Sequence, residues 1–102
     1  MGAADKVRTN AIQATQVNNE GVELEKSGKL ASALEKYQTA LDLDPFHRGF
    51  RRNLALCLCR MGQWDRGIAE LKEVLRQNPN DEETTRALYI ALEQAAKARV
   101  KP

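Results

Sequence analysis

The segments that decide the fold are Gly28-Lys29-Leu30-Ala31-Ser32-Ala33-Leu34-Glu35-Lys36-Tyr37 and Gly62-Gln63-Trp64-Asp65-Arg66-Gly67-Ile68-Ala69-Glu70-Leu71. Both begin with glycine and continue with apolar side chains three or four residues apart, which is typical of a helix that buries one face. The two glycines stand 34 residues apart, and so do Pro45 and Pro79. A fixed period between about 20 and 50 residues indicates an array of repeated structural units.

Each period is predicted to contain two helices that are separated at its glycine. Glycine ends the first helix because it tolerates a left-handed backbone, and the later proline prevents the second helix from continuing. A further helix is predicted to begin near Asp81, where Asn80 or Asp81 can cap it and Glu82 and Glu83 favour the positive helix end. Its predicted apolar stripe consists of Leu88, Tyr89, Leu92, Ala95 and Ala96.

The spacing of small and large residues resembles the tetratricopeptide repeat family. The positions that match one period apart are Gly21 and Ala55, Leu24 and Leu58, Ala33 and Gly67, Tyr37 and Leu71, and Pro45 and Pro79. The resemblance covers residues 14 to about 100 and implies an all-α fold. That fold is a right-handed helical-repeat stack, an α-α superhelix, of two helix pairs and a C-terminal capping helix.

The same register divides the chain into four segments. Residues 1–13 are expected to be an N-terminal extension, frayed from Gly2 to Asp5 and helical after that. Residues 14–47 and 48–81 are the two predicted repeats, and residues 82–102 are the predicted capping helix and tail.

The composition favours a soluble globular domain and excludes a membrane-spanning one. The chain has 102 residues, of which 42% are hydrophobic and 29% charged. Its apolar runs are much shorter than the roughly 18 residues that a bilayer span requires, so we expect no membrane partner and a cytoplasmic protein. The net charge of +2 is too small to indicate nucleic-acid binding by itself.

The sequence contains no recognisable catalytic or cofactor-binding motif. There is one histidine, His47, and no glycine-rich phosphate loop, so neither a nucleophilic triad nor a cofactor site can be placed. Cys57 and Cys59 would lie about 200° apart around a helix axis, which suits neither a disulfide between them nor a zinc site. We therefore predict a protein that is not an enzyme, binds no cofactor or metal, and keeps both thiols reduced.

The resemblance also implies a function. In this family the first helix of each pair lines a concave groove that holds a peptide or a partner's helix, so the expected function is protein-protein interaction, with some preference for an acidic segment. Arg52 and Arg86 occupy equivalent places and are expected to flank a ligand carboxylate with bidentate hydrogen bonds. The expected groove residues are Asn18, Asn19, Val22, Lys26, Arg52, Asn53, Leu56, Arg60, Arg86 and Ile90, with Thr15, Cys59 and Glu83 beside them.

Two alternatives remain open at the level of the sequence. The chain can be a structural or self-associating fragment of a longer repeat protein, and a monomer or weak homodimer is expected. The basic stretch at residues 47–52 raises nucleic-acid binding, which is not expected because it offers few phosphate contacts and one stacking ring. The competing interpretation is a turn in which Phe46 and Phe50 pack beneath the loop, while His47 and the arginines face water.

Overall fold

The computed structural model describes residues 2–100. Over this range the chain forms five α-helices and no β-strand, which confirms the all-α prediction. The helices are α1 (Ala3–Lys26), α2 (Leu30–Leu43), α3 (Arg48–Arg60), α4 (Trp64–Gln77) and α5 (Glu82–Arg99). The chain divides into two compact units, and the boundary falls inside α3 between Phe50 and Arg51.

The N-terminal segment is helical from Ala3 onward, whereas the sequence predicted fraying as far as Asp5. The carbonyl of Gly2 accepts hydrogen bonds from the N–H groups of Asp5 (3.2 Å) and Lys6 (3.4 Å). Asp5 adds a carboxylate to the first turn, where negative charge is favourable. The extension and the first helix of the first predicted repeat therefore form one helix of 24 residues.

The two glycine turns have the same geometry. Gly28 has a φ of 79° and Gly62 a φ of 81°, in the left-handed region that disfavours residues with a Cβ. The N–H of Lys29 donates to the carbonyl of Leu24, and the N–H of Gln63 donates to that of Leu58, both at 2.9 Å. These bonds form the Schellman arrangement that ends a helix at a glycine, so the period seen in the sequence is a period of backbone turns.

In the first unit, α1 packs against α2 through small residues. Ala14 and Gly21 of α1 and Ala33 of α2 are buried. A Cβ at Gly21 would lie 2.8 Å from Cε1 of Tyr37, so the aromatic ring occupies the space that the missing side chain leaves. The Tyr37 hydroxyl donates a hydrogen bond of 2.6 Å to Oε1 of Glu25, which satisfies the polar end of this buried ring.

In the second unit, α3 and α4 approach each other closely at Gly67. A Cβ there would lie 2.5 Å from Sγ of Cys59 and 2.7 Å from the carbonyl oxygen of Ala55, so α4 reaches α3 only because this side chain is absent. Arg51 of α3 also bonds to Glu70 of α4, with 2.9 Å between Nη1 and Oε1. The core cluster of this unit consists of Ala55, Cys59, Ile68, Leu71, Ala91 and Ala95.

Helix α5 buries only part of the predicted stripe, because Ala95 is buried and Leu88 is half-buried against the core. Tyr89, Leu92 and Ala96 are exposed, and the buried residues of this helix are Thr84, Ala91 and Ala95. Thr84 tolerates burial because its N–H and its hydroxyl both donate to the Asp81 carboxylate, at 3.0 and 2.9 Å. The small residues allow α5 to pack closely on α4, which leaves the larger side chains outside.

The turn before α3 also differs from its prediction, because Phe46 is 80% exposed while Phe50 is buried. The exposed His47 ring stacks on that of Phe50 with 3.6 Å between centroids. Its Nδ1 accepts a hydrogen bond of 3.1 Å from the N–H of Phe50, as a capping side chain does at a helix start. Phe50 is therefore buried and His47 exposed as predicted, whereas Phe46 does not pack beneath the loop.

Candidate functional site

The candidate site lies between α3 and α5 of the second unit, along a surface that we call the α3–α5 seam. Arg52, near the start of α3, reaches Glu83 and Thr84 at the start of α5. Farther along, Cys59 of α3 and Ala91 of α5 belong to one core cluster. The two helices therefore run in the same direction, and each turn of α3 lies opposite a turn of α5.

A mainly apolar pocket of about 340 Å³ opens on the later part of the seam. Leu56 and Arg60 contribute from α3, Ile90 from α5, and Trp64 closes the end at the start of α4. The full lining is Leu56, Cys59, Arg60, Trp64, Ala87, Ile90, Ala91 and Gln94. A concave apolar surface with a few polar groups is the usual form of a ligand site, and the volume of this pocket lies at the lower end of the usual range for such sites.

At the first turn of the seam, Arg52 is bound by carboxylates of its own chain. Its Nη1 lies 3.6 Å from Oδ2 of Asp81, and its Nη2 lies 3.3 Å from Oε2 of Glu83. The same guanidinium donates to the hydroxyl of Thr84 at 3.4 Å. The Arg52 side chain is 14% exposed. It therefore does not face solvent in the way that a receptor for an external carboxylate would.

The two carboxylates around Arg52 differ in exposure. The side chain of Asp81 is 7% exposed and that of Glu83 is 74% exposed. Asp81 also caps α5, where its Oδ1 accepts from the N–H of Thr84. Asp81 is therefore a fixed structural partner of Arg52, while Glu83 presents most of its surface to solvent.

At the other end of the seam, Arg60 is exposed and lies in the last turn of α3. Cys59 beside it forms part of the pocket wall, and burial raises the pKa of its thiol. That shift keeps Cys59 in the neutral form at physiological pH, so it contributes apolar surface and no charge. Neither cysteine forms a disulfide in the described residues, and both are buried.

Four of the expected groove residues lie on α1, in the first unit. Asn18 is buried, Val22 is half-buried, and Asn19 and Lys26 are exposed. Lys26 lies 3.4 Å from Glu23, one turn earlier on the same helix. None of these four residues lines the seam pocket.

Neither Arg52 nor Arg86 lines the seam pocket. Arg86 is exposed and lines a separate, shallower depression of about 660 Å³ near the start of α5. That depression is lined by Pro79, Asn80, Glu82, Thr85, Arg86 and Tyr89. Arg52 contacts α5 at Glu83 and Thr84, whereas Arg86 follows Glu83 by three residues on that helix and lines the separate depression.

Three expected residues, Leu56, Arg60 and Ile90, do meet in the seam pocket, while Asn53 is half-buried on the preceding turn of α3. The sequence interpretation missed Ala87, Ala91 and Gln94, and it assigned Trp64 to the core alone. The 34-residue period could have indicated Ala87 and Gln94, because they occupy the same repeat positions as the expected groove residues Asn53 and Arg60. Ala87 was overlooked because alanine is weakly informative as a binding residue.

The described residues also bear on metal, membrane and nucleic-acid binding. Within residues 2–100, no group of three or more His, Cys, Asp or Glu side chains is placed to hold a metal ion. No helix in that range is long and apolar enough to cross a membrane. In the basic stretch, Arg51 and Arg52 are engaged with Glu70, Asp81 and Glu83, which lowers the charge available to nucleic-acid phosphates.

Comparison with known proteins agrees with this architecture. A family model described as tetratricopeptide repeat matches residues 24–88, which include all of α3 and α4 and the first turns of α5. The chain is also similar to the TPR repeat-containing thioredoxin TTL4 of Arabidopsis thaliana, with 27% identity over 99 residues. That similarity covers 94% of this chain and 14% of the length of the relative.

Proposed function

Because this chain belongs to the tetratricopeptide repeat family, we propose that it is a protein-interaction module that binds a peptide segment of a partner in the α3–α5 seam. Repeats of this family are generally protein-protein interaction modules and act as non-catalytic scaffolds. The observation that carries the proposal is the apolar pocket in which Leu56, Arg60 and Ile90 meet. The module works in the cytoplasm, where its thiols stay reduced.

The pocket can hold a side chain of the partner because its wall is apolar and open. Ile90 is 51% exposed, so much of its surface is in water and becomes buried when a ligand side chain enters. Burial of apolar surface stabilises a complex by roughly 25 cal/mol per Å² before the costs of association are subtracted. The affinity of one such pocket is therefore modest and depends on contacts beside it.

Selection from a library of random peptides displayed on phage tests this function. We expect the wild-type protein to enrich a set of peptides that an Ile90→Asp variant does not enrich, because a carboxylate in the pocket opposes burial of an apolar side chain. Leu92→Asp is the matched control, since Leu92 is a comparably exposed apolar residue of the same helix on another face. Equal enrichment by wild type and Ile90→Asp would contradict the proposal.

A second candidate function is self-association through the outer face of α5. Tyr89 is 69% and Leu92 42% exposed, and two copies of this chain can bury both residues against each other. This function predicts a dimer in sedimentation that Tyr89→Glu dissociates. The interaction module alone predicts a monomer or a weak homodimer whose mass distribution does not respond to that substitution.

A further inference from the structure

The outer face of α5 has the residue spacing of a surface that pairs with another helix. Thr85, Tyr89, Leu92 and Ala96 follow one another at intervals of four, three and four residues. An average spacing of about 3.5 residues keeps side chains in one line where two helices pack along each other. Tyr89, Leu92 and Ala96 are exposed and Thr85 is half-buried. None of the four lines the seam pocket, so this face is a separate surface.

The outer face continues into the depression at the start of α5. Glu82, Thr85 and Tyr89 line this depression, together with Pro79 and Asn80 of the preceding turn. Its volume is about 660 Å³. Because it lies at one end of the outer face, it can receive side chains of a second helix that packs along α5.

The charges on this side of α5 alternate in sign along the helix. The exposed charged residues on the line of the outer face or directly beside it are Glu82, Arg86, Glu93 and Arg99. Their order is negative, positive, negative, positive. A second copy of the helix that runs antiparallel presents this order in reverse, so each charge faces one of the opposite sign. In a parallel copy each charge faces its like, which opposes pairing.

The spacing also makes the outer face complementary to itself. In an antiparallel arrangement, residues at equal distances from the centre of this face lie opposite each other. The facing pairs, one residue from each copy, are then Tyr89 with Leu92, Thr85 with Ala96, and Glu82 with Arg99. Arg86 comes within about 3 Å, measured along the axis, of the position of Glu93 in the second copy. Apolar burial then drives association, and the charges set its direction.

Two of these charges already have partners within the chain. Glu93 lies 3.2 Å from Lys97, and Arg99 pairs with Asp65. Each of these four side chains is at least 61% exposed, so both pairs are hydrated and weak. A carboxylate can accept, and a guanidinium can donate, more than one hydrogen bond at a time. Glu93 and Arg99 can therefore each bind a second copy without losing the first partner.

We propose that two copies of this chain pair through the outer face of α5, with the two α5 helices antiparallel. This inference rests on the second candidate function and gives it a geometry. Tyr89 and Leu92 of the two copies bury each other, and the last turn of each α5 packs into the depression at the start of the other. The pairing is independent of peptide binding, because the seam pocket uses the face of α5 that carries Ile90.

Sedimentation equilibrium at millimolar protein concentration tests the pairing with reversed charges. Arg86→Glu and Glu93→Arg should each weaken the wild-type dimer about tenfold, because each turns both symmetry-related attractions into repulsions. The double variant Arg86→Glu/Glu93→Arg should restore the wild-type dissociation constant, and so should an equimolar mixture of the two single variants. Lys72→Glu, at an exposed residue of α4, is the matched control and should leave the constant unchanged.

A spin label measures the direction of the two helices independently. Glu82→Cys, labelled briefly in the native protein, places one label at the start of each α5, since Cys57 and Cys59 are buried. Antiparallel pairing places Glu82 opposite Arg99, 17 residues farther along the chain. At 1.5 Å per residue, the two labels are then about 25 Å apart along the axis. Parallel pairing brings them side by side.

The possible results separate the inference from the functions on which it builds. A wild-type monomer, or a dimer that Tyr89→Glu leaves intact, would overturn the inference and the second candidate function, while the phage selection still decides the interaction module. A dimer that Tyr89→Glu dissociates but that ignores the charge reversals, or whose labels lie side by side, would overturn the antiparallel arrangement alone. Circular dichroism shows which variants fold, and the label distance decides the outcome if a reversed variant does not.

Discussion

The Arg52 guanidinium lies 3.6 Å from the carboxylate of Asp81, the residue that caps helix α5. One carboxylate therefore caps the N-terminus of α5 and also pairs with a residue of α3 inside the second unit. The ligand seam depends on this link, since it sets the register in which the turns of α3 face those of α5.

Replacement of Asp81 should destabilise the second unit. Asp81→Ala removes the capping bond to Thr84, worth about 1 kcal/mol, and also takes away the buried partner of Arg52. Asp81→Asn should cost less, because the amide oxygen can still accept from the Thr84 N–H. Urea unfolding followed by circular dichroism measures both. The control is Asn80→Ala, at an exposed neighbour, and equal midpoints for Asp81→Ala and Asn80→Ala would contradict the assignment.

Gly67→Ala should destabilise the fold even though alanine is the better helix former by about 1 kcal/mol. The added Cβ would lie 2.7 Å from the Ala55 carbonyl oxygen, and backbone cannot rotate away. Gly21→Ala should cost less, because its nearest contacts are atoms of the Tyr37 side chain, at 2.8 and 2.9 Å. Thermal unfolding compares the two, and a higher melting temperature for Gly67→Ala than for wild type would show that the close helix approach is wrong.

The pKa of Glu73 should be about 2. The main cause is the side-chain hydrogen bond from Arg76, whose Nη2 lies 2.6 Å from Oε1 of Glu73. Arg76→Gln should return the pKa toward 4.5, which carbon NMR of the side-chain carboxyl can follow. Since the folded pKa lies below the unfolded one, the pair stabilises the protein above pH 4.5 and loses this effect as the pH falls toward 2. An unchanged pKa in Arg76→Gln would refute this cause.

The two thiols should react slowly in the native protein and at different rates. Burial raises the pKa of Cys59 and so lowers its thiolate fraction. Cys57 is completely buried, whereas Cys59 forms part of the pocket wall. The Cys57→Ser and Cys59→Ser variants separate the two rates of labelling by a soluble disulfide reagent. We expect Cys59 to react faster than Cys57 and both to react far faster in denaturant. Native rates equal to denatured ones would contradict the buried positions.

The helices and their turns were predictable because backbone geometry leaves a direct mark on the sequence. A positive φ requires glycine at Gly28 and Gly62, and Asp81 is a strong capping residue, so the helix ends could be located from these residues alone. The buried face of α5 could not be predicted in the same way. A hydrophobic pattern assigns large apolar residues such as Tyr89 and Leu92 to the buried face and gives little indication for Ala91. Packing against α4 favours small side chains over large apolar ones, which is the reverse of what the hydrophobic pattern indicates.

The site was predictable in part. Leu56, Arg60 and Ile90 followed from the register of the repeat, which places them on the faces that meet in the seam. The role of Arg52 did not follow, since its pairing with Asp81 and Glu83 joins residues far apart in the chain that belong to no shared motif. Charge pairs between helices depend on the relative position of the two helices, and the residue spacing within each helix does not reveal that position.

Methyl NMR with the most enriched phage peptide tests the central claim most directly. The methyl groups of Leu56 and Ile90, labelled with carbon-13, are expected to show the largest shifts on addition of the peptide, and Ile90→Asp should abolish the binding while Leu92→Asp preserves it. If the largest shifts appear instead at Leu92, or at Leu41 of the first unit, the partner does not bind in the α3–α5 seam and the account is wrong.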